Sequence, residues 1–355
     1  MSGFISALII ILVLGVLITV HELGHYVAAR LSGIRVREFA IGMGPTFFRR
    51  QKKNQNGEPA GTVFSLRVFP IGGFCDMGED EENDDPAHFR NKPARYRAFV
   101  LISGSMMNFV IGFLFFLALY LSMPAIRMPD IYSLDPEFPY AGQIQVGDRF
   151  HSINGRRIYN LNDFYLFLDR DADKPYTFVM ERDGTRFTVE NATRQLEDGT
   201  RFGFVVIGWE ELTFLNSVKH AASSTVSFVR LVWMSLGDLI SGSAGAGDLV
   251  GPVGLGSVVN DVISDEANRV ADMVRMLLQL SGLVAVNLAV VNLLPIPALD
   301  GGRIIFLLFS VLLVKLRGKP LNSKIEGYIH GVTMILLFAL MIFIFFNDIR
   351  RLVGF

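Results

Sequence analysis

The sequence of 355 residues contains a single cysteine, Cys75, so it cannot form a disulfide within the chain or a cage of thiolate ligands around a metal. It also has few charges: charged residues make up 19 % of the chain and the formal net charge is −1. No run of Lys and Arg is interleaved with aromatic residues, which argues against nucleic acid as a partner. What the chain has instead is 51 % hydrophobic residues, which predicts a membrane protein.

Four segments contain the roughly 20 apolar residues that a helix needs to cross a bilayer. We predict transmembrane helices at 1–30, 98–123, 276–314 and 328–347. The first segment begins MSGF, without positive charge, and shows no small-residue cleavage site before His21, so we expect a retained helix rather than a signal peptide. The third segment is too long for one simple span. The expected fold class is a polytopic α-helical membrane protein.

Lysine and arginine near the spans indicate the orientation. Eleven of them lie between the first two predicted spans, from Arg35 to Arg97, and four more lie between 315 and 324. Both loops are therefore predicted to be cytoplasmic, and the large segment 124–275 extracytoplasmic. Arg350 and Arg351 near the C-terminus argue weakly for the opposite orientation.

The cytoplasmic loop 31–97 contains an alternating segment, 62–69, which predicts a half-buried strand. Its apolar face is formed by Phe64, Leu66 and Val68. Residues 39–48 are the candidate partner strand, and Asn56-Gly57 is a candidate turn. The loop is therefore expected to hold a hairpin-like β-element.

Residues 128–208 are more polar and predict a small α+β domain. The segment INGRRI (153–158) is typical of a strand, turn and strand, and RDGTRFTV (182–189) of an Asp-Gly hairpin. A short helix is expected near NDFYLFLDR. The connecting region 209–275 begins with apolar residues at helical spacing, which predicts an amphipathic helix at the membrane surface, and continues with a glycine-rich stretch.

His21 and His25 are one helical turn apart, so their rings project from one face of the first helix and can reach one ion. Glu22 borders that face. This HExxH pattern is typical of zinc hydrolases, in which the glutamate takes a proton from metal-bound water. A strongly polar group in hydrocarbon costs on the order of 2.5–3.5 kcal/mol, so three such groups in a span require a compensating partner. A divalent cation would supply one.

Two histidines leave a catalytic zinc site one ligand short. The third long segment contains NLLPIPALDGG (292–302), which places Asp300 between apolar flanks. Pro295 and Pro297 interrupt helical hydrogen bonding, and Gly301 and Gly302 add backbone freedom, so an unwound stretch is expected there. We predict Asp300 as the third ligand. The alternative role is a helix N-cap, which would not explain HExxH.

These motifs resemble the site-2 protease family of intramembrane zinc metalloproteases, over nearly the whole chain. SGSMMNF resembles the GxxxN element of that family at Gly104 and Asn108, and GPVG (251–254) resembles its Gly-Pro stretch. Asn287 and Asn292 stand at the family spacing ahead of Asp300. The segment AGQIQVGDRFHSINGRRI resembles the PDZ pattern AGLxxGDxIxxINGxxI, with Gln143-Ile144 departing from the usual leucine. One PDZ-like domain indicates similarity to the RseP/RasP-like branch with a single such domain.

The resemblance implies regulated intramembrane proteolysis of single-pass membrane proteins, such as anti-sigma factors or remnant signal peptides, in a bacterial inner membrane. It implies one Zn²⁺ per chain held by His21, His25 and Asp300, with Glu22 as general base and the active site toward the cytoplasm. It further implies that Asn287 and Asn292 hold substrate backbone or oxyanion, although interhelical packing is an equal alternative for each. The strand with Phe64, Leu66 and Val68 would pair with unwound substrate.

The PDZ-like domain would act as a size filter or read exposed chain ends. Residues 201–206 are the nearest candidate for its carboxylate-binding loop. A competing interpretation is a membrane scaffold that uses this domain to recruit partners and in which the metal is structural or absent. A transporter fits less well, because four spans without inverted repeats are not the usual architecture. Glu22 separates enzyme from scaffold, since a structural metal site does not require it.

Overall fold

The computed structural model describes residues 2–53, 59–79, 84–135, 142–171, 175–192, 204–243, 245, 270–318 and 323–353. The predicted turn Asn56-Gly57, the GPVG stretch and the first part of the 201–206 segment lie outside these ranges. The chain divides into two compact units. One unit comprises Met1–Phe115 with Leu231–Phe355, and the other comprises Phe116–Arg230.

The described chain contains seven α-helices. They are α1 (Ser2–Leu31), α2 (Ala94–Leu121), α3 (Leu161–Arg170), α4 (Phe214–Ser241), α5 (Val270–Asn292), α6 (Asp300–Arg317) and α7 (Ser323–Val353). Four of them are long and apolar enough to cross a membrane, over Phe4–Leu31, Ala94–Leu121, Val270–Asn292 and Ile325–Arg350. The prediction of a helical membrane protein with four spans is confirmed.

The predicted third span, 276–314, is not one helix. Helix α5 ends at Asn292 and α6 begins at Asp300, with residues 293–299 between them. Pro295 and Pro297 stand in this break, because a proline ring blocks the helical hydrogen bond and clashes with the preceding turn. Of the two helices only α5 is both long and apolar enough to span, because the 18 residues of α6 include four charged ones, so the correction assigns the crossing to α5 and makes α6 a separate helix.

The loop 31–97 folds into a two-stranded antiparallel sheet of β1 (Glu38–Lys53) and β2 (Pro59–Asp76). Residues 38–41 pair with 63–66 and also with 73–76, and residues 48–51 pair with 63–66 as well. The backbone of 63–66 is thus paired on both sides. Among the described residues, 73–76 pair on one side only. The expected hairpin is present, but the described stretches that pair on one side only are 48–51 and 73–76, so the predicted strand 62–69 does not supply an open edge at 63–66.

The second unit is built on a six-stranded sheet in the order β7-β6-β4-β3-β8, with β5 paired to β4. The strands are β3 (Ala125–Leu134), β4 (Arg149–Ile153), β5 (Arg156–Arg157), β6 (Tyr176–Arg182), β7 (Thr185–Ala192) and β8 (Phe204–Glu211). Phe150, Phe164, Phe167 and Phe178 are fully buried in its core. The sheet and α3 fit the expected soluble α+β domain.

Two tight turns in this unit have the backbone that their sequences predict. Asn154 and Gly155 have φ of 47° and 76°, and Asp183 and Gly184 have φ of 48° and 79°. Positive φ at both central residues is the requirement of the type I′ hairpin turn, which Asn-Gly and Asp-Gly favour. These local signals therefore set the β4-β5 and β6-β7 connections.

The predicted amphipathic helix is α4. Unlike a helix on the core of a soluble protein, it buries its polar face and exposes its apolar face. Its buried side chains are small or polar: Ser217, His220, Ala221, Ser224 and Ser227. Its large apolar side chains, Phe214, Leu215, Val226, Trp233 and Ile240, are exposed. An apolar outer face of this kind is suited to contact with lipid.

Candidate metal centre

The two histidines of HExxH lie side by side on α1. His21 and His25 are buried, and their rings meet edge to face with centroids 4.8 Å apart. The two Nε2 atoms are 3.1 Å apart. The helical spacing alone produces this arrangement, because residues four apart share one face of a helix.

Asp300 brings a carboxylate to the same point from α6. Its Oδ2 lies 3.0 Å from Nε2 of His21 and 3.3 Å from Nε2 of His25. Asp300 is the first residue of α6, and the N-cap position belongs to Leu299, which makes no side-chain cap bond. The alternative role of Asp300 as the N-cap is therefore not what the structure contains.

The three donor atoms fit a tetrahedral zinc site. They all lie within 4.8 Å of one another, and the three pair distances are 3.0, 3.1 and 3.3 Å. Zinc bonds of about 2.0–2.1 Å imply tetrahedral edges of about 3.3 Å. The backbone carbonyl of Val100 lies 2.8 Å from Nδ1 of His25. A carbonyl only accepts, so Nδ1 carries the proton and the lone pair of Nε2 points at Asp300. A lone pair and a carboxylate oxygen that converge in a buried site repel each other unless a positive charge lies between them, and three donors at these distances fit a metal ion.

Helix α2 supports the histidines through Gly104 and Asn108. Asn108 is fully buried, its Nδ2 lies 3.3 Å from Nδ1 of His21, and its Oδ1 has no partner in the described part of the chain. A Cβ at Gly104 would lie 2.8 Å from Cε1 of His21. Gly24 contributes from the other side, because a Cβ there would lie 2.9 Å from the carbonyl carbon of Ser103. Gly24 was missed by the sequence analysis although it stands inside HELGH.

Glu22 lies between the histidines and the open edge of β2. Its carboxylate accepts a hydrogen bond from the backbone N–H of Cys75. A Cβ at Gly73 would be 3.7 Å from Cγ of Glu22. The 73–76 edge therefore runs directly beside this carboxylate.

A cavity of about 560 Å³ opens at these residues. His21, Glu22, His25, Asp300 and Asn292 all line it, together with residues 73–77 of β2 and the following loop. Arg303 and Glu79, which form an ion pair, also line the cavity and were not anticipated.

Asn108 also lines the cavity, whereas four other predicted site residues are not among the described residues that line it. Asn287 is exposed on α5, and Phe64, Leu66 and Val68 are exposed on β2. The structure therefore does not bring these four side chains to the cavity that holds His21, His25 and Asp300.

The predicted structural glycines after Asp300 make the 293–299 break compact. A Cβ at Gly302 would lie 2.8 Å from Cα of Pro297, and one at Gly301 would overlap the backbone of Leu293. Only glycine permits α6 to begin this close to the preceding loop.

A helical membrane protein with HExxH on one span and a carboxylate from a second chain segment belongs to the class of membrane-embedded metallohydrolases. Comparison with known proteins specifies the family. The model of peptidase family M50 matches residues 9–340, and the chain belongs to that family. It is a zinc metalloprotease of the site-2 type, and Zn²⁺ is its cofactor.

Similar proteins cover nearly the whole chain. A protein of Clostridium acetobutylicum is 30 % identical over 98 % of this chain and 98 % of its own length. The zinc metalloprotease RasP of Bacillus licheniformis is 28 % identical over 96 % of this chain and 98 % of its own. The zinc metalloprotease RasP of Geobacillus kaustophilus is 28 % identical over 98 % of both chains.

Proposed function

We propose that this protease cleaves peptide bonds within the transmembrane segments of single-pass membrane proteins, in regulated intramembrane proteolysis. Anti-sigma factors and remnant signal peptides are the substrate classes. The observation that carries the proposal is the position of Asp300 Oδ2 at 3.0 and 3.3 Å from the two Nε2 atoms. These ligands stand on or beside apolar helices, so the reaction centre lies where a membrane-embedded substrate can reach it.

In this proposal His21, His25 and Asp300 hold one Zn²⁺, and Glu22 is the general base. A Zn²⁺ ion held by these three residues would supply a Lewis acid for the scissile carbonyl and would lower the pKa of water at the site. Glu22 accepts the proton of the attacking water and passes it to the leaving amine. The N–H of Cys75 orients the Glu22 carboxylate for this transfer. Val100 fixes the ring of His25 through Nδ1, and Asn108 does the same for His21.

A helical substrate hides its amides, so a segment must unwind before it can be cut. We propose that the unwound segment pairs with the open edge of β2 at 73–76, because this edge is paired within the sheet on one side only and an edge strand can add an extended chain on the other. Asn292 in the cavity wall would hold substrate backbone or the oxyanion. Phe64, Leu66 and Val68 would then contact flanking substrate or lipid with their side chains. Asn287 is exposed, so its proposed partner is the substrate rather than a neighbouring helix.

We place the protein in the inner membrane of a bacterium, with the active site toward the cytoplasm. The Lys and Arg content of the loops 31–97 and 315–324 supports this orientation. Residues 128–208, which belong to the unit Phe116–Arg230, would form an extracytoplasmic PDZ-like domain that acts as a size filter or reads exposed ends. Its six-stranded sheet and the short helix α3 support a PDZ-like assignment.

The deciding experiment is reconstitution of the purified protein in vesicles with a single-pass substrate whose outer domain has been shortened. Mass spectrometry of the products should locate the cut inside the transmembrane segment. The Glu22→Gln variant is the matched control and should leave the substrate intact. Cleavage confined to residues outside the membrane would contradict the proposal, and binding without cleavage would favour the scaffold interpretation.

A further inference from the structure

Helix α7 contacts the loop 293–299, which immediately precedes Asp300. The backbone N–H of Ala298 donates a hydrogen bond to Nδ1 of His330, over 2.7 Å. Ala298 is two residues before Asp300 in the break between α5 and α6. His330 therefore reaches the metal-binding loop from a separate helix, far along the chain from both HExxH and the LDGG motif.

This hydrogen bond holds Ala298 in an unfavourable backbone conformation. Ala298 has φ of 79°, one of three non-glycine residues with positive φ among those described. A side chain with a Cβ adopts this region at a cost, and such a conformation persists only where the surroundings enforce it. The other two, Asn154 and Asp183, are residue types that tolerate it in tight turns. Alanine has no polar side chain that would stabilise positive φ locally, so contacts with other parts of the chain must stabilise it.

The loop's own hydrogen bonds hold residues on either side of Ala298. The N–H of Ile296 donates to Leu294 over 2.7 Å, and the N–H of Leu299 donates to Ile296 over 3.1 Å. The N–H of Ala298 is instead taken by His330. In an apolar setting an amide without a partner is costly, so His330 satisfies a group that the loop itself leaves unpaired.

The ring of His330 is set for this role. Because Nδ1 accepts, Nε2 carries the proton, and it faces Oε1 of Glu326 at 3.9 Å. The ring also lies against Phe306 of α6, with centroids 5.2 Å apart. The same side chain thus touches the helix that begins with Asp300 and the loop that precedes it.

We propose that His330 is a positioning residue for the metal centre: by holding Ala298 it keeps Asp300 directed at His21 and His25. The inference rests on the proposed role of Asp300 as a ligand. Loss of the acceptor would let the Ala298 backbone relax toward negative φ, which would turn Asp300 away and weaken metal binding. Residues that act through a ligand in this way typically change metal affinity by about 10–100-fold.

Two substitutions separate the acceptor from the ring. His330→Phe keeps a ring of similar shape but cannot accept the Ala298 N–H. His330→Asn loses the ring but places Oδ1 near the position of Nδ1. We expect His330→Phe to weaken zinc binding by about tenfold or more in competition with a chelator, and His330→Asn to stay close to the unmodified protein. The visible spectrum of the Co²⁺-substituted protein should change in His330→Phe and not in His330→Asn.

Tyr328→Phe is the matched control on α7, because Tyr328 is 77 % exposed and should not affect the metal. The inference would be overturned if His330→Phe and His330→Asn lost zinc affinity equally, or if His330→Phe lost none. If His330→Phe does not fold, His330→Asn must still fold and retain zinc, and loss of zinc in His330→Asn would overturn the inference. Asp300→Asn in the same assay separates a failure of the proposed ligand set from a failure of the role of His330. Zinc retained in Asp300→Asn would defeat the proposed ligand set, whereas zinc lost there but kept in His330→Phe would defeat only the role of His330.

Discussion

Gly104 of α2 packs directly against the imidazole of His25 on α1. A Cβ at position 104 would lie 2.7 Å from Cε1 of His25, closer than two unbonded carbon atoms can approach. The glycine of the GxxxN element is therefore a steric requirement for the observed packing of α2 on the two histidines of the candidate metal centre. It allows the backbone of α2 to lie flat on both histidine rings.

Gly104→Ala should push the histidine rings out of register with Asp300. We expect weaker zinc binding and loss of proteolysis while the helical content stays unchanged. Gly331→Ala on α7 is the matched control, because a Cβ there meets nothing within 4 Å and alanine favours a helix. Zinc affinity by chelator competition and circular dichroism measure the two effects. Full zinc affinity in Gly104→Ala would contradict the packing argument.

Glu22→Gln should lower the cleavage rate by at least about 10²-fold, the usual contribution of a general base. Zinc content should stay near that of the unmodified protein, because Glu22 is not one of the three residues whose donor atoms converge. The measurement pairs elemental analysis with cleavage of a membrane-anchored substrate. Retained cleavage would show that another group takes the proton.

Asn108→Leu and Asn108→Asp should differ in their affinity for zinc. A metal-binding His21 carries its proton on Nδ1, and rotation of the Asn108 amide presents Oδ1 as the acceptor. Leucine removes this acceptor, so we expect zinc affinity to fall by about 10–100-fold. Aspartate keeps an oxygen in place and should retain much of the affinity. Equal loss in both variants would mean that Asn108 only fills space.

Asn292→Ala and Asn287→Ala test which asparagine serves the substrate. Asn292 lines the cavity and Asn287 does not appear among its described lining residues. We expect Asn292→Ala to lower kcat/KM by about tenfold, the value of one hydrogen bond, with zinc unchanged. Asn287→Ala should have the smaller effect. The reverse order would place the substrate on the exposed face of α5.

Cys75 should resist alkylation in the native protein. Burial raises the pKa of its thiol above the ordinary value, and the nearby Glu22, Glu79 and Asp76 add to that effect. At pH 8 little thiolate forms, and the side chain is buried. Because Cys75 is the only cysteine, intact-mass measurement after maleimide treatment reports it alone. We expect one adduct in denaturant and none in the folded protein. Rapid native labelling would show that the β2 edge opens.

Local patterns were sufficient for much of the architecture. Apolar length identified four membrane helices, the i, i+4 spacing placed His21 beside His25, and Asn-Gly and Asp-Gly identified two turns. Each of these depends on residues close in sequence, whose geometry is fixed by the helix or the turn itself.

The strand pairing within the β-element could not be predicted from patterns among residues close in sequence. The alternation of Phe64, Leu66 and Val68 identified a strand, but an alternating pattern does not say which neighbours the strand has. Residues 63–66 lie inside the sheet because β1 and β2 both bend and pair twice. The free edge at 73–76, in a glycine-containing stretch without alternation, gave no sequence signal.

The amino-acid sequence by itself determined the spans, the HExxH face and the break at Pro295 and Pro297, because these follow from hydropathy and backbone chemistry within a few residues. Only the tertiary structure decided that Asp300 meets the two histidines, that Gly104 and Asn108 support them, and that His330 holds Ala298. These contacts join segments up to about three hundred residues apart, and their distances depend on how helices pack, which no local pattern encodes.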